Sequence, residues 1–132
     1  MASGIIVKEG YIRVEPRPPV FWEIWECLAR LLKMPEYPQK NVIWLFDDGP
    51  LKLAYDDLYR ITDFLKENFP EKVMPDKKAA FVVPTGLGKA MATEYTKLVR
   101  DLPVEFKTFH DFDTAEKWIT ENLSQKHSLT TP

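Results

Sequence analysis

Val104-Glu105-Phe106-Lys107-Thr108-Phe109, followed by His110-Asp111-Phe112-Asp113-Thr114-Ala115-Glu116-Lys117-Trp118-Ile119, predicts a strand running directly into a capped helix. Val104, Phe106 and Thr108 alternate with Glu105 and Lys107, the period-two pattern of an edge strand whose charges discourage further pairing. Asp113 and Glu116 stand at capping-box spacing, with Asp113 placed to accept a backbone N–H three residues on. Ala115, Trp118 and Ile119 then give the helix one apolar face. A strand and a helix closing the chain in this order point to an α/β fold.

The rest of the chain repeats that alternation. Val42-Ile43-Trp44-Leu45-Phe46 and Ala79-Ala80-Phe81-Val82-Val83 are unbroken apolar runs, as strands covered on both faces should be. Between them a helix is predicted over 54–67, with Leu58, Ile61 and Leu65 inward and Pro70 beyond its end. A helix over 87–100 carries Leu87, Met91, Tyr95 and Leu98 on one side. Upstream, a helix over 19–32 places Val20, Ile24, Leu28 and Leu31 at helical spacing, opened by Pro19 and stopped by Pro35. Two short strands, 5–8 and 11–14, divide at Glu9-Gly10 and suit a hairpin. The order is β-β-α-β-α-β-α-β-α: a five-stranded, mostly parallel sheet with about four helices on its two faces. Residues 1–123 make one domain, and 124–132 have little to bury and are expected to be a flexible tail.

Composition sets bounds. The chain has 132 residues, 45% of them hydrophobic, with 8 Phe, 5 Tyr and 4 Trp, enough for a core without metal or disulfide. A net charge of −2 gives no basic surface for nucleic acid. The lone Cys27 forms no intrachain disulfide and fits a reducing, cytoplasmic setting. The first residues lack the basic and apolar regions of a signal peptide, and no stretch reaches the length of a membrane span.

From Met34-Pro35-Glu36-Tyr37, through Val42–Asp48, to Phe109-x-Asp111-Phe112-x-x-Ala115-x-x-Trp118-Ile119, the chain resembles the small bacterial SpoIIAA-like proteins of the STAS superfamily. Gly86-Leu87-Gly88-Lys89-Ala90-Met91 falls where that family has a glycine-containing start to its third helix. The resemblance covers about two thirds of the chain and implies the fold, with little chemistry. It departs at one place. Antagonists of anti-sigma factors in the superfamily carry a phosphorylatable Ser or Thr between the third strand and second helix. Residues 47–57 hold neither, so no phosphoswitch is expected there.

Ligands of open parallel sheets favour the carboxyl ends of the strands. Here those ends predict a rim of Asp47, Asp48, Thr85, Gly86, Gly88, Lys89 and His110, groups suited to Mg²⁺ or a phosphate. The plainer reading is that Asp and Thr at such turns cap helices. Thr85-Gly86-Leu87-Gly88-Lys89 is not a Walker A loop: Val83 stands where its first Gly belongs, and no Ser or Thr follows Lys89. His110 and His127 have no partners in metal-ligand spacing, so no metal or other cofactor is expected.

Helix 19–32 supplies the remaining site. Trp22 falls on the side carrying Glu26, Arg30 and Lys33, flanked by Phe21 and Trp25, an arrangement suited to contact with a second copy or a protein partner. A non-catalytic regulatory module, homodimeric or partner-bound, is therefore the leading expectation. A carrier of a small apolar, lipid-like ligand is the alternative, because the superfamily is structurally linked to lipid carriers. An enzyme acting on a phosphorylated substrate at the rim is a third. An apolar cavity between helices and sheet would favour the carrier. A solid core with an exposed apolar helix face would favour the interaction module.

Overall fold

A computed structural model describes residues 3–46, 52–83 and 86–129, with only the backbone described for 86–89 and 122–129. β1 (Gly4–Val7) and β2 (Tyr11–Glu15) form an antiparallel hairpin. β3 (Asn41–Leu45), β4 (Lys78–Val82) and β5 (Glu105–Phe109) follow in parallel, each beside the strand before it. α1 (Phe21–Lys33), α2 (Tyr55–Asn68) and α3 (Gly86–Leu98) are the three crossovers, and α4 (Phe112–Leu129) closes the chain. The α/β class, element order and mostly parallel five-stranded sheet are as the sequence predicts.

Adding strands always on the same side, with crossovers of one hand, puts every crossover helix on the same face. The two cores show this. One joins Ile24, Leu28, Leu58, Leu65, Met91 and Tyr95 from α1, α2 and α3 to Ile12, Val14, Val42, Trp44 and Phe81 of the sheet. The other has one helix only, with Ala115, Trp118 and Ile119 of α4 on Tyr11, Ile43, Ala80, Val82 and Phe109. Polar ties fix α4 there. The Asn41 side-chain amide donates to the Ile119 carbonyl at 3.1 Å, and Lys78 Nζ donates to the Trp118 carbonyl at 3.0 Å. Tyr11 donates its hydroxyl to Glu116 Oε2 at 2.5 Å, and burial with that carboxylate pushes the phenol up to about 12.

Two local expectations are corrected. The cap of α4 is Asp111, two residues before Asp113. Asp111 Oδ1 accepts from both the Thr114 N–H and the Thr114 hydroxyl at 2.8 Å, which hold its carboxyl below the usual range. Asp111–Thr114 and Asp113–Glu116 have the same spacing, and the end of β5 at Phe109 selects the first. Helix α1 starts at Phe21, so Pro19 precedes it and Val20 is its N-cap, bridged in parallel to Lys52. Val20 thus leaves the inward stripe, which is Ile24, Cys27, Leu28 and Leu31.

Candidate functional site

The three-helix face contains an apolar cavity near the carboxyl ends of β3 and β4. Its floor is aromatic. Trp44 and Phe46 lie nearly parallel with centroids 6.1 Å apart, Phe46 and Phe81 at 6.4 Å, and Phe81 and Phe106 at 5.8 Å. Tyr95 of α3 meets Phe81 edge-on at 5.5 Å, so the floor is held from two directions. Ile24 and Leu28 of α1, Leu58 and Ile61 of α2, and Met91 and Ala92 of α3 form the walls. Leu53, Phe46 and Val83 bring the cavity to the strand ends. Its volume is about 50 Å³. Among the described lining side chains, only Trp44 and Tyr95 carry a polar group. Burial pushes the Tyr95 hydroxyl up, so it stays protonated at neutral pH.

Cavities in well-packed proteins are few, and a void larger than about 10–15 Å³ can admit a water only if that water finds two to four polar partners. This one has the room, and its described lining offers a water few polar partners.

The rim residues are only partly described. Asp47, Asp48 and Thr85 lie outside the described residues. Gly86, Gly88 and Lys89 are in the first turn of α3, whose backbone starts at Gly86. His110 is exposed just beyond β5. The strand ends themselves are aligned: the Phe46 N–H donates to the Val82 carbonyl at 3.1 Å and the Val83 N–H to the Phe109 carbonyl at 2.9 Å. Among the described residues, no three of His, Cys, Asp and Glu gather as a metal site.

On α1, Trp22 is 72% exposed, while Phe21 and Trp25 are half-buried. Trp25 lies 4.4 Å from the Phe64 ring of α2 and so takes part in the α1–α2 contact, and Phe21 packs on Trp25 at 5.5 Å within α1. Tyr55 and Tyr59, in the first turns of α2, are also exposed. Cys27 is buried, and burial pushes its thiol up.

Two groups escape a reading of the sequence. Lys77, 1% exposed, precedes β4; its Nζ donates to the Tyr37 carbonyl at 2.6 Å and to the Lys40 carbonyl, and sits 4.0 Å from the Tyr37 ring centroid. Burial lowers this lysine to about 7. The only sequence signal was a lysine pair abutting an all-apolar strand. On the α4 face, Glu15 accepts from Arg17 Nη2 at 3.2 Å and has Arg13 Nε at 3.6 Å, while the Arg13 guanidinium lies 5.8 Å from the Phe112 ring. This cluster joins β2 to the start of α4, on the side of the sheet away from the cavity.

Among the described residues, no helix is long and apolar enough to cross a membrane. Comparison with family models, curated proteins and solved structures finds no match to this chain.

Proposed function

We propose that this protein is a non-catalytic SpoIIAA-like domain that binds a small apolar group in the cavity between α1, α2, α3 and the sheet. One observation supports the reading: a cavity of about 50 Å³ at the carboxyl ends of β3 and β4, whose described lining is almost wholly apolar and poor in partners for ordered water. Its size suits a group of a few heavy atoms such as the end of an alkyl chain, with any polar head left at the strand ends, and falls well short of the roughly 150 Å³ that takes up benzene. A rigid aromatic floor keeps the site formed without its ligand, which lowers the ordering cost of binding.

Short n-alkanes and n-alkanols are expected to raise the melting temperature. A ligand at about 100 times its dissociation constant adds about 2.7 kcal/mol of stability. Ala92→Leu, which pushes a larger side chain into the space, is expected to remove the response while the protein stays folded. No shift with any of these ligands, or an unchanged shift in Ala92→Leu, counts against the proposal.

A second reading rests on Trp22. A tryptophan 72% exposed on a helix that also bears Glu26, Arg30 and Lys33 has the anatomy of an apolar contact with a polar rim. In this reading Trp22 anchors a protein partner. Trp22→Ala is expected to weaken such a complex by about 2 kcal/mol or more and to change folding stability by under about 0.5 kcal/mol. Pull-down with the wild type and the variant, followed by titration of the captured partner, checks it. Equal affinity in both removes Trp22 from the contact.

A further inference from the structure

The two edges of the sheet are defended unequally. β5 carries Glu105 and Lys107 along its exposed edge, the usual protection against further pairing. β1 is Gly4-Ile5-Ile6-Val7, with no charge and no proline, and Ile6 and Val7 are 40% and 42% exposed. The backbone phase of this edge follows from the hairpin. The Lys8 N–H donates to the Tyr11 carbonyl at 2.8 Å, so Lys8, Ile6 and Gly4 are the positions bonded to β2. Ile5 and Val7 therefore turn their N–H and C=O groups away from the sheet, and among the described residues no backbone partner meets them.

We infer that β1 is the self-association edge of this protein, pairing antiparallel with β1 of a second copy to join two sheets into one of ten strands. Backbone phase and side-chain chemistry choose the same register. Only Ile5 and Val7 offer outward groups, so they must face outward positions of the partner strand. Pairing Ile5 with Val7 of the second copy, about a dyad through Ile6, makes four interchain hydrogen bonds and sets Ile6 against Ile6. Ile5 and Val7 then share one face of the joined sheet and the two Ile6 side chains the other. In this register Lys8 lies opposite Gly4, and no like charges oppose each other. Sliding by two residues toward the hairpin turn puts Ile6 against Lys8 and Ile5 against Glu9. Sliding the other way puts Ile6 against Gly4 and Val7 against Ser3. The central register is the one in which every pair within Ile5–Val7 is apolar.

A second copy suits this edge because the match is symmetric and needs nothing the chain lacks. With four residues per strand the contact is small, so the dimer is a weak one that forms as concentration rises.

Sedimentation velocity over a concentration series up to about millimolar tests this. Wild type is expected to shift from monomer to dimer. Val7→Pro removes the outward N–H and, by symmetry, two of the four interchain bonds, without touching any bond to β2. It should raise the dissociation constant by about thirtyfold or more. Ile6→Lys and Ile6→Glu are each expected to be monomeric, and their equimolar mixture to dimerise, because opposite charges then meet at the dyad. That rescue keeps the test decisive if Val7→Pro fails to fold. A wild type that stays monomeric throughout overturns the inference. So does a dimer that persists in Val7→Pro and in both Ile6 variants, which would place the contact on another surface.

Discussion

Raising the pH from 7 toward 10 is expected to stabilise this protein, and Lys77→Met is expected to abolish the gain. Burial moves Lys77 from the ordinary 10.5 down to about 7. Between those values the unfolded chain holds a proton that the folded chain has released. Stability therefore climbs with pH, by at most about 1.4 kcal/mol per unit, and the contribution is lost as pH falls through 7. The Tyr37 and Lys40 carbonyls and the Tyr37 ring favour the ammonium, so they offset part of the desolvation and narrow the pH range over which stability climbs. Above pH 10 the tyrosines reverse the trend. Tyr11 is held up to about 12, and burial raises Tyr37 and Tyr95 above the ordinary 10.0 as well. Their contribution is complete below that ordinary value and is lost as pH rises through their folded values. Urea unfolding of wild type and Lys77→Met at intervals across this range checks both limbs. A flat wild-type profile from 7 to 10, or the same rise in the variant, contradicts the burial of a titrating amine.

Trp118→Ala is expected to cost about 3–5 kcal/mol, the usual range for removing a buried tryptophan. The loss falls where the fold has least in reserve, since among the described residues α4 is the one helix packed on its face of the sheet. Trp118 packs on Phe109 at 5.5 Å, and Lys78 Nζ lies 4.6 Å from its ring, so truncation leaves a cavity beneath a partly buried cation. Urea midpoints of Trp118→Ala and Trp22→Ala make the comparison internal. The first should fall steeply and the second hardly move. A small effect at Trp118 would mean that α4 contributes little to the folded domain.

The fold was legible because its signals are local. Two unbroken apolar runs marked the buried strands. Leu58, Ile61 and Leu65 at helical spacing marked α2, and Pro35 and Pro70 marked where helices stop. The division of helices between faces was not local. It follows from strands being added always on one side, which no single segment encodes. The α4 cap was ambiguous for a related reason: two aspartates each had a partner three residues on, and strand register decided between them. The cavity was the least legible feature. Ile24, Leu58, Phe81 and Met91 read as ordinary core residues, and whether their side chains fill the space between layers depends on packing across four elements. Lys77 was hidden too, because its ammonium is satisfied by carbonyls of residues 37 and 40, contacts that composition cannot foretell.

A crystal structure determined under xenon pressure tests the proposed binding site most directly. Xenon enters apolar cavities, needs no hydrogen-bond partner and scatters strongly. The expected result is one xenon atom between the Trp44–Phe81 floor and the Leu58, Met91 and Ala92 walls, lost in Ala92→Leu. Ordered water filling that space, or its absence because the side chains have closed over it, would contradict the account.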